Sequence, residues 1–221
     1  MKSAELQAEL RAELIEYYRR RAGEYEAIYA KPERQADLLL LKKKIAGIFK
    51  GARVLEVACG TGYWTRVISG AAEAVTATDV AEEPMRIAQS KEYPKGNVRF
   101  FAADAYCLEE NLGSFDAAFA GFWWSHVPRQ RIAEFLASLH ARLEPGARVV
   151  IFDNLYVEGN SSSISEVDEV GNTYQLRTLA DGASFRVMKN FPTKDELKQL
   201  LSAPVHYRAL HYYWLAQYRV P

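Results

Sequence analysis

The chain has 221 residues, 49% hydrophobic and 25% charged, a balance that suits one folded domain with a sizeable core and excludes a disordered chain. Its 28 Lys and Arg match its 28 Asp and Glu, so the overall basic footprint of a nucleic-acid binder is missing. Two cysteines, Cys59 and Cys107, and four histidines fall at no metal-ligand or redox spacing. No metal is expected, and neither a membrane partner nor a nucleic acid; the charged N-terminus and the lack of a long apolar run predict a soluble cytoplasmic protein.

Residues from about 3 to 29 repeat apolar and aromatic positions at helical spacing, through Leu6, Leu10, Leu14, Tyr17, Tyr18, Tyr25, Ile28 and Tyr29. Gly23 predicts a break in the middle, and Pro32 a turn or the first position of the next helix, about 33–48. Strands near 53–57, 74–78, 98–101, 115–120 and 147–153 then alternate with helices near 62–69, 83–90 and 129–142. That order predicts a mostly parallel sheet with helices on both faces. Pro84 suits the first turn of its helix, and Pro145-Gly146 is read as the stop before the fifth strand. Residues 155–190 leave this alternation. A polar loop at 158–163 is followed by two strand-like runs flanking Asp181-Gly182, a hairpin signal. Thr193 and Glu196 form a capping box for a further helix, and strand-like runs near 205–210 and 213–220 close the chain.

The segment Glu56-Val57-Ala58-Cys59-Gly60-Thr61-Gly62 carries the most information about function. A short apolar strand bearing an acid runs into a turn of small residues, which lets the backbone approach a ligand closely. Ala58 stands where a third glycine would fit. About 20 residues on, a second strand ends in Asp79, the spacing at which an acid meets a ribose diol in dinucleotide folds. A dinucleotide oxidoreductase would want Gly-x-Gly-x-x-Gly, and Thr65 occupies the third glycine position.

With Phe101-Ala102-Ala103-Asp104-Ala105, Phe115-Asp116-Ala117-Ala118-Phe119 and Leu143 to Val150 following in order, the chain resembles the class I S-adenosylmethionine-dependent methyltransferases over roughly residues 50–155. The resemblance implies a Rossmann-like α/β fold with a seven-stranded, mostly parallel sheet, an antiparallel terminal hairpin and an N-terminal helical lid. The single domain 1–221 then divides into a helical cap (1–50), a cofactor-binding core (51–154), an inserted loop and hairpin (155–190) and a terminal helix with strands (191–221). It also implies S-adenosylmethionine as cofactor. Asp79 would accept from the ribose hydroxyls, and Asp104 with the Ala105 N–H would read adenine against Val80 and Ala81. Glu56 would lie near the ammonium of the tail, which passes the turn of Ala58, Gly60, Gly62 and Trp64; Gly121 and Phe122 complete the cofactor set. Asp104 has a second reading, as a cap on the turn before Tyr106.

The acceptor side is less sharply defined. Trp123 and Trp124 follow the fourth strand, where ligands sit in such sheets, and one of the two is expected in the core. His126 suits a general base, or equally a structural histidine at a helix start. Tyr17, Tyr18 and Tyr25 would close over the acceptor from the lid, Tyr18 close enough to the chemistry to take part. Arg21, Arg177, Arg186 and Lys189 are candidates for an acidic acceptor. Charge neutrality and the lack of an Asn-Pro-Pro-Tyr-like motif after the fourth strand favour a small-molecule acceptor, methylated at oxygen or nitrogen. A protein-modifying enzyme or a non-catalytic cofactor-binding protein are the alternatives.

Overall fold

The computed structural model describes residues 2–201 and 203–220, with side chains from residue 9 onward, so the Leu6 side chain lies outside the described part. Helix α1 (Lys2–Arg21) gives way at Ala22 to a tighter 3-10 stretch, Ala22–Ala30, placing the break where Gly23 predicts it. A 3-10 turn, Pro32–Arg34, leads into α2 (Gln35–Ile48). The alternating part follows as β1 (Arg53–Val57), α3 (Tyr63–Ser69), β2 (Ala74–Asp79), α4 (Glu82–Gln89), β3 (Val98–Ala102), β4 (Phe115–Gly121), α5 (Ile132–His140) and β5 (Leu143–Asn154). Three antiparallel strands come next, β6 (Glu166–Val167), β7 (Thr173–Thr178) and β8 (Ser184–Met188), then α6 (Lys194–Leu201), β9 (His206–Ala209) and β10 (Tyr213–Arg219).

The main sheet has the order β3-β2-β1-β4-β5-β10-β9. β10 runs antiparallel to both neighbours, and β1 to β5 pair in parallel. Strand alternation sorts the core onto two faces. Leu55, Val57, Ala118, Val149, Ile151 and Trp214 pack under α5 and α6, through Phe135, Leu139 and Leu197. Val54, Phe119, Val150, Phe152 and Leu215 pack under α2 and α3, through Leu38, Leu41, Ile45, Trp64 and Ile68. Tyr29 belongs to this second cluster, so residues 22–30 complete the core.

Two local expectations change. Pro145-Gly146 does not stop a helix: α5 ends at His140, and both residues lie inside β5. There the pairing skips from Phe115↔Leu143 to Ala117↔Arg148, a bulge that accommodates a residue without an N–H. β6 has no precursor in the sequence pattern, being two exposed residues whose backbone pairs with β7. The capping box forms as read: the Thr193 N–H donates to Glu196 Oε2 (2.6 Å) and the Glu196 N–H to Thr193 Oγ1 (3.2 Å). Among the described residues no helix is long and apolar enough to cross a membrane.

Candidate active site

Strand order reverses between β1 and β4, and the crevice beyond their carboxyl ends is where such sheets bind ligands. A cavity of about 530 Å³ opens there and continues beneath α1 and the 3-10 stretch to the β6–β8 sheet. Its walls include Glu56, Ala58, Gly60, Trp64, Asp79, Val80, Asp104, Ala105, Gly121 and Phe122, most of the implied cofactor set. Gly62 stands behind the turn, at φ +79°. A Cβ there would come 2.5 Å from the Tyr93 hydroxyl and 2.8 Å from Ala88, so both backbone and space require glycine. Ala58 (φ 54°) and Phe122 (φ 58°) are the two non-glycine residues at positive φ among those described, and both line the cavity. Strain of this kind, of order 1–3 kcal/mol each, is held by the surrounding fold and gathers at functional sites.

Three acids line the end of the cavity implied to take the cofactor. Glu56 is buried, and its Oε2 has no partner within the described residues. Burial pushes its carboxyl up to about 8, with Asp79 adding to the rise. An orphaned carboxylate oxygen of this sort fits a ligand ammonium. Asp79 is tied into the turn, accepting from the Gly60 N–H at Oδ2 and the Ala81 N–H at Oδ1, each at 2.8 Å. Burial raises its carboxyl, opposed by these N–H groups, and each oxygen keeps an acceptor direction that a diol fits. Val80 remains 41% exposed, although apolar, because it faces this cavity as an adenine wall would. Asp104 does cap its turn, accepting from the Tyr106 N–H (3.1 Å), and its Oδ2 pairs with Arg11 of α1 at 2.7 Å. The lid helix therefore touches the residue implied to read adenine.

Aromatic residues form the other end. Tyr18 stacks edge-on against Tyr25 (5.7 Å between centroids) and His126 (5.4 Å), and Tyr25 against Tyr29 (6.1 Å). The Tyr18 hydroxyl lies 2.7 Å from His126 Nε2, and His126 Nδ1 lies 2.7 Å from the Met188 carbonyl. A carbonyl only accepts, so Nδ1 carries the proton, and a neutral ring must then accept from Tyr18 at Nε2. Burial, with the Lys189 ammonium second, holds the imidazole down to about 3. His126 is therefore a weak ground-state base, and the structural reading of this histidine gains over the catalytic one. Burial and the neighbouring Tyr25 raise the Tyr18 phenol well above its ordinary value, so Tyr18 stays protonated.

Several acceptor-side expectations are corrected. Trp124 is the core tryptophan, edge-on to Trp214 (6.4 Å), while Trp123 reaches the cavity beside Tyr106. Successive residues leave a strand end on opposite sides, and only contacts with β10 decide which one is buried. Tyr17 faces away from the cavity into Phe185 and Val187, because α1 turns its neighbour Tyr18 inward. Of the four cations proposed for an acidic acceptor, Arg186 lines the cavity, paired with Glu166 at 3.0 Å. Arg21 bonds the Tyr17 hydroxyl, Arg177 bonds Ser162 and Gln175, and Lys189 is buried against Asp153 (3.0 Å). Asp153 and Arg11 were missed. Asp153 carries the same signal as Glu56 and Asp79, an acid near the end of an apolar strand.

Known proteins of related architecture match closely. The family described as "Methyltransferase domain" matches residues 54–146. A structure described as "DhpI-SAM-HEP complex" is 32% identical, covers 96% of this chain and 98% of its own, and superposes with a TM-score of 0.78. A demethylmenaquinone methyltransferase of Staphylococcus aureus (strain MRSA252) is 34% identical over 113 residues, 50% of this chain. The chain matches only 46% of that relative's length. An S-adenosylmethionine-dependent methyltransferase of Clostridium acetobutylicum ATCC 824, 16% identical with a TM-score of 0.63, shares the fold over 90% of this chain. The chain belongs to the class I S-adenosylmethionine-dependent methyltransferase family.

With a ligand ammonium as the partner of Glu56, cofactor binding would be a proton-linked event. Its folded value, about 8, lies above the ordinary 4.5, so the free protein at pH 7 holds this carboxyl mostly protonated. The group favours folding below its unfolded value, and that contribution is lost as pH rises through about 8. Pairing with an ammonium requires the ionised form, so about one proton should leave per S-adenosylmethionine bound at pH 7. Calorimetry in buffers of differing ionisation enthalpy measures that number. No proton release would place Glu56 away from the tail.

Proposed function

We propose that this protein transfers the methyl group of S-adenosylmethionine to an oxygen or nitrogen of a small-molecule acceptor enclosed beneath α1. The observation that carries this reading is the single covered cavity running from Glu56, Asp79 and Asp104 to Tyr18 and His126. Its size suits a cofactor and a small second molecule, whereas a macromolecular acceptor needs an open cleft. Glu56 would hold the tail ammonium, Asp79 the ribose, and Val80, Ala81, Asp104 and Ala105 the base. The faces of Tyr18, Tyr25, Tyr29, Phe122 and Trp123 would surround the sulfonium and acceptor, where cation–π attraction stabilises positive charge.

The bound cofactor supplies an electrophilic methyl on a cationic sulfur. This chain's residues align the acceptor for an in-line displacement and exclude water, which by themselves account for much of the acceleration. Calorimetry with S-adenosylmethionine, together with a methyl-donor turnover assay across fractionated metabolites, tests the proposal. Turnover on a small-molecule fraction is the expected result. Turnover only on protein fractions would favour the protein-modifying alternative, and tight binding without turnover a sensor.

A further inference from the structure

Asp153 and Lys189 form a buried ion pair directly behind the Tyr18–His126 contact and have no part in the roles assigned so far. Their placement is cross-tied to the histidine from both sides. Lys189 Nζ donates to Ser125 Oγ (2.6 Å) and to Asp153 Oδ1 (3.0 Å), and Asp153 Oδ2 accepts the Ser125 N–H (2.9 Å). Ser125 immediately precedes His126. At the end of β8, Met188, whose carbonyl accepts a hydrogen bond from the His126 Nδ1–H, immediately precedes Lys189. The next residue closes the frame, as the Asn190 N–H donates to the Ser125 carbonyl (2.8 Å) and its Nδ2 to the Val127 carbonyl (3.0 Å).

We propose that Lys189, held in place by Asp153 and Ser125, is a positioning residue that locks the chain Met188 carbonyl, His126, Tyr18 in one direction, so that Tyr18 presents only a hydrogen-bond acceptor to the cavity. This rests on the proposed methyl transfer and adds a specificity to it. With Nδ1 protonated and Nε2 bare, the Tyr18 O–H points at the histidine, leaving its oxygen lone pairs for a ligand. The methyl acceptor therefore meets Tyr18 through an O–H or N–H and not through a bare oxyanion. An imidazolium would reverse the chain, since Nε2 would donate and turn the Tyr18 O–H toward the cavity. The Lys189 ammonium opposes that reversal by repulsion. The groups facing His126 are Tyr18 from α1, Asp153 from β5, Arg177 from β7 and Lys189 beyond β8; the two cations oppose protonation and Asp153 favours it.

Nitrogen-15 spectra of the histidine rings, assigned with His126→Gln, read the lock without any turnover, so this proposal and methyl transfer can fail separately. The wild-type protein should hold His126 neutral with the proton on Nδ1 from pH 8 to pH 5. An Nε2–H tautomer or an imidazolium in that window overturns the proposal. Lys189→Met should raise the His126 midpoint by at least about one pH unit, a tenfold change in proton affinity, whereas a purely structural lysine would leave it unmoved. Should that variant not fold, Ser125→Ala removes the Lys189 bond to the Ser125 hydroxyl while keeping the ion pair and the Ser125 N–H bond to Asp153. Exchange between two tautomers is then expected, and a single unchanged one refutes the positioning role. Tyr18→Phe should shift Nε2 alone, and an unchanged Nε2 resonance would also overturn the assignment.

Discussion

Replacing Asp79 with alanine is expected to weaken S-adenosylmethionine binding by about 10- to 100-fold, roughly 1.4–2.8 kcal/mol, the size of a lost charge-assisted hydrogen-bond pair. The same change has a second effect that the strand-end position by itself does not reveal. Asp79 also accepts the Gly60 and Ala81 N–H groups, so alanine leaves two donors of the binding turn without their partner. Thermal stability should fall as well, by about 1–3 kcal/mol for each donor left buried. Asp79→Asn keeps one accepting oxygen and separates the two effects. It should recover part of the stability while cofactor affinity stays low. Unchanged affinity in a folded Asp79→Ala protein, measured by calorimetry, would remove Asp79 from the cofactor site.

Deleting residues 1–21 is expected to lower the methyl-transfer rate by about 100-fold, the scale on which small losses of alignment act, while cofactor affinity changes only a few-fold. α1 supplies Leu10, Leu14, Ile15 and Tyr18 to the cavity wall, so its removal admits water and frees the acceptor. The cut must stop at Arg21. Tyr29, in the following 3-10 stretch, stacks on Tyr63 (3.7 Å) and packs with Phe122 (5.9 Å), and Glu26 bonds Thr61 (2.7 Å), so deletion to residue 30 would open the core itself. The shorter deletion still uncovers Phe185 and Val187, which circular dichroism must show to be tolerated. A folded truncation turning over at the wild-type rate would show that α1 is not a functional cover.

His126 supplies a pH dependence of opposite sign to that of Glu56. Its folded value, about 3, lies below the ordinary 6.5, so its contribution to stability is present above 6.5 and is lost as pH falls toward 3. Acid unfolding should therefore begin below about pH 6.5, and a His126→Gln protein should show a flatter acid limb in denaturant titrations. An acid limb identical to wild type would mean that the ring is not held neutral.

The alternation of strand and helix, the small-residue turn after β1 and the strand-end acids were legible in the residues alone, because hydrophobic period and steric size act locally. β1 spans the residues 53–57 read for it, Gly62 turns where only glycine fits, and Thr193 with Glu196 caps the start of α6. Which side of an element faces the ligand was decided elsewhere. Trp123 and Trp124 are adjacent and chemically alike, and packing against Trp214, some 90 residues away, buries one and leaves the other to the cavity. Tyr17 and Tyr18 divide in the same way, by the angle at which α1 crosses β8. Asp153, Lys189 and His126 come from separate parts of the chain, and nothing in their spacing announces a cluster. Local sequence sets backbone conformation through sterics and solvation, whereas the meeting of distant side chains depends on how whole elements pack, which only the tertiary structure decides.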